Sequence, residues 1–410
     1  MTEVRIESIA AGGDGVGRLE DGRAVFVPRT APGDRVELTD LRLHRRFARA
    51  RLARVLEPSP WRVQPSCPHY DADECGGCQL QHLGYPAQLE AKRRIVGDAL
   101  RRLARLDRSD PDLVPSEVEW GYRSRLTLAV AAGGRRIGMH RFDRPGEIFD
   151  LDECRIAAPA LMVLWRAVSR HRARLPDGAT QLTLRLDRSG GLHLQLKVRE
   201  ARVWQDAPGL HALLAAEGIE ASIWWQPEGG APRVVAGAPG AYPAVVFEQV
   251  HPGLGDRIRS FAVARLLAGS GRHAWDLYAG IGETTALLLE RGASVESVEI
   301  DRRSVEAAER RGGDRSAVQR HAGAVEEVVH RLRPPDLVIT NPPRAGMDEV
   351  ITRTLLERQP GRIVYVSCDP ATLARDLARL APGYRVGEVT AFDLFPQTAH
   401  VETVTVLEIP

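Results

Sequence analysis

Residues 384–409 read Y-R-V-G-E-V-T-A-F-D-L-F-P-Q-T-A-H-V-E-T-V-T-V-L-E-I. Two strand-like runs, 384–391 and 401–409, flank a loop from Phe392 to His400 that has no room for a crossover helix. A parallel connection takes about a dozen residues or more, so these two strands must pair antiparallel. Upstream the order changes. Strand-like runs near 273–279, 295–300, 317–322, 336–341 and 362–368 each lead into a helical pattern, the mark of a doubly wound parallel sheet. The expectation is an α/β domain over residues 242–410 that ends in an antiparallel hairpin.

Working outward, the rest of the 410 residues divides in two. Residues 1–57 alternate apolar and polar side chains between turn glycines (Gly12, Gly13, Gly15, Gly17, Gly22, then Pro32-Gly33-Asp34), the pattern of a small antiparallel barrel. The G-x-G-V-G at Gly13 to Gly17 and V-P-R-T-A-P-G-D at Val27 to Asp34 make it similar to a TRAM domain, an RNA-binding, OB-like barrel. Residues 58–241 mix strand-like runs, such as Gln181 to Leu186 and Leu192 to Val198, with proline and glycine turns, and read as a central α+β domain. No window approaches 18 apolar residues and no basic-then-apolar leader opens the chain, so a cytoplasmic protein is expected.

Charge is nearly balanced, with 56 Lys and Arg against 54 Asp and Glu, so any nucleic-acid contact must come from local clusters. Two stand out. Arg42, Arg45, Arg46, Arg49, Arg51 and Arg54 lie in a stretch without acids, and Lys92, Arg93, Arg94, Arg101, Arg102 and Arg105 follow a helical spacing. Each run reads equally well as an RNA contact or as a solvated face.

The segment D-L-Y-A-G-I-G-E-T-T, Asp276 to Thr285, places Gly280 and Gly282 at a strand-to-helix turn, where the backbone can approach a ligand at the carboxyl edge of the sheet. The next strand ends in S-V-E-I-D. Its Glu299 stands 17 residues past Gly282, near the spacing at which an acid accepts hydrogen bonds from a ribose diol. Together these imply an adenosine-type ligand, S-adenosylmethionine or a nicotinamide dinucleotide. The terminal hairpin favours the former, because class I (Rossmann-like) methyltransferases close their sheet in this way. After the fourth strand, Asn341-Pro342-Pro343-Arg344 forms a rigid loop suited to holding a flat base.

The fifth strand, I-V-Y-V-S-C-D-P, delivers Cys368 to the same edge of the sheet. The remaining cysteines, Cys67, Cys75, Cys78 and Cys154, begin with a C-x7-C-x2-C cluster, which argues against a secreted disulfide framework. Four thiolates suffice for zinc or for a [4Fe–4S] cluster.

Taken together, S-C-D-P-A-T-L-A-R-D, N-P-P-R-A-G, F-P-Q-T-A-H-V-E-T and D-L-Y-A-G-I-G resemble the RNA 5-methyluridine methyltransferases. The resemblance implies that Cys368 is a nucleophile adding to uracil carbon 6, so that carbon 5 can attack the methyl group of S-adenosylmethionine. It implies that Glu402 then removes the carbon 5 proton. It further implies cofactor contacts from Gln249, in F-E-Q-V-H, and from Tyr278, Gly280, Glu283, Glu299 and Asn341. C-G-G-C-Q-L-Q-H at Cys75 to His82 resembles the iron–sulfur segment of the ribosomal-RNA branch, which favours [4Fe–4S] over zinc and 23S rRNA over tRNA. Arg123 and Arg125 are candidates for RNA contact near a flipped uridine. No protein partner and no membrane are implied.

The chain departs from the family pattern at Asn341 (usually Asp), Asp369 (usually Asn), His251 (usually Asn) and Ser124 (usually Asn), and in a first cysteine gap of seven residues. These changes keep open a second class of function, an RNA-binding or assembly factor without activity. Cytosine C5 methylation is a third, chemically close reading that the F-P-Q-T-x-H-V-E ending disfavours.

Overall fold

The computed structural model describes residues 2–131, 136–199, 203–238, 248–311 and 316–410. Phe247 and the expected boundary at 241/242 lie outside the described residues.

Five strands (Thr2–Ile9, Gly15–Arg18, Ala24–Val27, Arg35–Leu43 and Phe47–Glu57) form a closed barrel. The first strand pairs antiparallel with both the second and the fourth, which closes the ring and leaves no free edge. Alternate residues Val4, Ile6, Val25, Val27, Val36 and Leu38 fill its core, the period-2 pattern read from the sequence.

The central region builds a seven-stranded sheet in the order Arg233–Ala236, Ala221–Pro227, Leu192–Val198, Ala179–Leu186, Arg125–Val130, Ile137–Arg141, Arg144–Asp150. Helices Pro159–Arg170 and Ala207–Ala216 pack on it around Leu161, Leu164, Trp165, Leu182, Leu196 and Leu210. Burying each such side chain contributes about 1.5–3 kcal/mol.

The third sheet has eight strands, in the order Val318–Ala322, Ser294–Glu299, His273–Leu277, Leu337–Thr340, Arg362–Ser367, Glu402–Glu408, Arg385–Phe392, Asp112–Val114. The first five are parallel, and Glu402–Glu408 is antiparallel to both of its neighbours, as the short connecting loop demands. Leu337–Thr340 and Ile363–Ser367 are buried without interruption, because helices cover both faces.

One strand comes from elsewhere. Asp112–Val114, within the stretch read as central, pairs parallel with Thr390–Phe392 and extends this sheet. The helix Tyr85–Arg102 reaches the same body and packs on Pro370–Leu380. Among the described residues no helix is long and apolar enough to cross a membrane.

Most of the helical basic run is engaged in ion pairs within the chain. Lys92 is fully buried and ion-paired with Asp393. Arg93 and Arg94 pair with Glu90, Arg101 with Asp98 and Asp110, and Arg102 with Asp98. In the barrel run, Arg49, Arg51 and Arg54 pair with Asp14, Glu74 and Glu37, while Arg42, Arg45 and Arg46 stand exposed at a hairpin tip.

Candidate active site

A cleft of about 1070 Å³ opens at the carboxyl edge of the parallel strands. Gln249, Tyr278, Gly280, Glu283, Glu299, Asn341, Cys368 and Glu402 all line it. Residues spread over more than 150 positions of sequence are thus brought to one cavity.

On one side the glycine turn is built for close approach. Tyr278, Gly280 and Gly282 have φ of +64°, +55° and +74°, and Gly282 caps the helix Glu283–Glu290. A Cβ on Gly282 would stand 2.9 Å from the Cβ of Ala308, so only glycine fits this turn and its packing. Glu299 locks the turn, accepting from the Gly280 N–H at 2.9 Å and from the Asp301 N–H at 2.8 Å. Beneath it, burial pushes the Asp276 carboxyl up to about 7, opposed by the Thr285 hydroxyl donating to it at 2.6 Å. Glu283 lines the cleft while paired with Arg188 at 2.9 Å and with Arg259.

On the other side stand Cys368 and Glu402. Arg362–Ser367 and Glu402–Glu408 pair antiparallel with Ser367 opposite Thr403, so one step further along the register Cys368 comes opposite Glu402. Glu402 is 2% exposed and its Oε2 has no hydrogen-bond partner. Burial raises this carboxyl to about 8, against the opposing pull of the Arg344 guanidinium. The Cys368 thiol is also raised, by burial first and then by the charge of Glu402, while Arg344 favours its thiolate. Arg344 donates to His400 Nε2 at 3.3 Å, and both line the cleft.

Sequence reasoning passed over two supporting devices. Fully buried Asp376 accepts from the Met347 N–H and from the Tyr365 hydroxyl, both at 2.8 Å, and pairs with Arg375 and Arg379. Arg375 also donates to the Ala345 carbonyl, so the loop after Asn341-Pro342-Pro343 is latched from behind. The other device is the Arg344–His400 pair itself. Neither carries a local sequence signal beyond the motif around it.

Three of the departures have structural roles. Asp369 caps the helix Pro370–Leu380, accepting from Ala371 and Thr372 N–H at 3.0 and 2.9 Å, a role that Asp and Asn fill equally well. His251 caps Pro252–Leu267 through Nδ1, meets the Ser116 hydroxyl through Nε2 and stacks on Tyr122. Ser124 donates to the Val250 carbonyl from its backbone at 2.7 Å and from its hydroxyl at 3.2 Å, beside Gln249. Asn341 presents an exposed side chain in the cleft.

Away from the cleft, Cys67, Cys75, Cys78 and Cys154 line one small, almost wholly apolar cavity, and all four are free thiols. Burial raises the Cys75 thiol to about 11 and pushes those of Cys78 and Cys154 up as well. Among the described residues no three His, Cys, Asp or Glu side chains are drawn together tightly enough for one metal ion. Arg123 lines the same cavity, and its buried Nε has no partner. It lies beside the cysteines, while Arg125 is partly buried at the start of the central strand Arg125–Val130.

Comparison with known proteins agrees with this geometry. Residues 330–409 match the family model described as tRNA (Uracil-5-)-methyltransferase, and residues 2–53 match the TRAM domain. The chain is 33% identical to the 23S rRNA (uracil(1939)-C(5))-methyltransferase RlmD of Azoarcus sp. (strain BH72), over 100% of both chains. It is 32% identical to an uncharacterized RNA methyltransferase, SCO5901, of Streptomyces coelicolor, over 99% of this chain and 92% of that one. Among solved structures it is similar to the Pyrococcus abyssi tRNA (uracil-54, C5)-methyltransferase in complex with S-adenosyl-L-homocysteine. The TM-score is 0.76 at 25% identity, covering 99% of both chains.

Proposed function

Because the chain belongs to the RNA (uracil-C5)-methyltransferase family, we propose that it methylates carbon 5 of a uridine in RNA with S-adenosylmethionine as co-substrate. The observation that carries this reading is that Cys368 and Glu402 sit together on one wall of a cleft whose other wall carries the glycine turn and Glu299.

The co-substrate supplies an electrophilic methyl group on sulfur. Gly280, Glu299, Tyr278, Glu283, Gln249 and Asn341 form its binding wall, with the ribose at Glu299 and the methionine part at Gln249. The Cys368 thiolate, favoured by Arg344, adds to carbon 6 of the uracil, and the ring electrons move to make an enolate. Carbon 5 takes the methyl group, and the sulfonium becomes a neutral thioether. Glu402 then removes the carbon 5 proton, the carbon 5–carbon 6 double bond re-forms, and Cys368 leaves. Burial raises the Glu402 carboxyl to about 8, which makes it a stronger base for the carbon 5 proton when it acts as the carboxylate. Uridine reaches Cys368 only when flipped out of its stack.

The four cysteines would hold a [4Fe–4S] cluster. The gathering of all four thiols on one apolar cavity, with the buried Nε of Arg123 beside them, supports this reading. Its contribution is structural, since the transfer needs no electrons.

In this reading residues 1–57 contact RNA, 58–241 carry the cluster and 242–410 transfer the methyl group. Large-subunit rRNA is favoured over tRNA, following the Azoarcus relative. The test is methyl transfer from labelled S-adenosylmethionine to separate 23S rRNA and tRNA transcripts, with iron and sulfide assayed in anaerobically purified protein. Methylation of tRNA alone would reverse the substrate assignment, and stoichiometric zinc without iron would replace the cluster.

A further inference from the structure

The loop Asp393–His400, between the last two strands, supplies Phe395 and His400 to the cleft wall and leads directly into Glu402. Its conformation is imposed from outside. Gln397, 2% exposed, sits at φ +70°, which a non-glycine residue holds only when its surroundings dictate it.

Those surroundings belong to the cysteine region and the helix after it. The Gln397 carbonyl accepts from the Gln79 and Leu80 N–H groups at 3.2 and 3.0 Å. Its N–H donates to Gln88 Oε1 at 3.0 Å, and Gln88 Nε2 donates back to Gln397 Oε1 at 2.9 Å. Lys92 pairs with Asp393 and donates to the Phe395 carbonyl at 3.0 Å, while the Tyr122 hydroxyl donates to the Pro396 carbonyl at 2.9 Å.

Gln79 is the joint. It follows Cys78 directly, its Nε2 donates at 2.9 Å to the carbonyl of Gly76, between Cys75 and Cys78, and its Oε1 accepts from the Ala399 N–H at 3.3 Å. One side chain thus ties the cysteine turn to the loop before the base.

We propose that Gln79 and Gln88 are positioning residues for Glu402, and that the Cys75–Cys78 turn is a strut beneath the catalytic loop rather than a distant folding element. The inference rests on the reading of Cys368 and Glu402 as nucleophile and base. Disturbing the strut misplaces the base after the adduct has formed, so the carbon 5 proton stays and Cys368 remains bonded to RNA.

The test is Gln88→Met in the full holoprotein, which keeps the side-chain length and removes both amide bonds to Gln397. Turnover is expected to fall about 10–100-fold with misplacement of the base. KM for both substrates should be unchanged, and a denaturant-stable protein–RNA adduct should accumulate. Hydrogen exchange over 393–400 should quicken in this variant, in Gln79→Ala and in wild-type protein stripped of metal with a chelator. Wild-type turnover in Gln88→Met, loss of turnover without adduct, or exchange over 393–400 that ignores all three changes would each overturn the strut. Wild-type protein that forms no adduct and releases no carbon 5 proton would instead sink the underlying reading.

Discussion

The Thr403 hydroxyl donates to the carbonyl of Ser367 at 3.1 Å, locking together the two antiparallel strands whose next residues outward are Cys368 and Glu402. The proposed nucleophile and base are therefore held at one strand edge by this strand pairing, although 34 positions separate them in sequence.

Removal of the base should show itself as a trapped intermediate. Glu402→Gln is expected to form the Cys368–RNA adduct and to turn over about 10²–10⁴-fold more slowly. Denaturing gels of enzyme with unmodified RNA would reveal the band; slow turnover without it would assign proton removal to another group.

The raised carboxyl of Glu402 gives two pH dependences of definite sign. Elimination needs the carboxylate, so its rate should climb as pH rises toward about 8 and then level off. For stability, the folded protein holds a proton that the unfolded chain has already lost, so stability falls as pH rises from the ordinary carboxylate range through about 8. Glu402→Gln removes this burden, by an amount on the order of a few kcal/mol. Its advantage in thermal unfolding over wild type should grow from pH 5 to pH 8; an advantage that shrinks over this range would mean the carboxyl is not raised.

Glu299 is bound to backbone through both oxygens, so it shapes the turn that is proposed to receive the ribose. Glu299→Ala is expected to weaken S-adenosylmethionine binding about 10–100-fold, the value of one hydrogen bond to a charged group. Calorimetric titration reads this directly, and unchanged affinity would move the ribose elsewhere.

Lys92 and Asp393 are both fully buried, and Asp393 Oδ2 lacks a hydrogen-bond partner. Lys92→Met should cost about 3–5 kcal/mol by leaving a buried carboxylate unpaired, whereas Lys92→Met with Asp393→Leu should recover most of it. Denaturant unfolding of the two variants distinguishes charge pairing from packing: equal losses would contradict it.

Much of this fold was legible because its signals are local. The terminal hairpin followed from a short loop between Phe392 and His400, and all seven strands expected after residue 272 formed within a few residues of their places. Gly280, Gly282 and Glu299 were readable because turn chemistry and strand-end spacing are properties of short segments. What escaped depends on contacts between distant segments. Nothing within Asp112–Val114 says that it will extend the last sheet, and nothing in the spacing of Lys92 separates a buried partner of Asp393, 301 residues away, from a solvated base. The clamp on Gln397 is of the same kind.

The most direct test of the central claim is release of tritium from carbon 5 of uridine in 23S rRNA and tRNA transcripts incubated with S-adenosylmethionine, beside a Cys368→Ala control. The account predicts release from one RNA, large-subunit rRNA, abolished in the control. Release that survives loss of Cys368, or none from either RNA with sound substrate, would contradict covalent uridine methylation at this site.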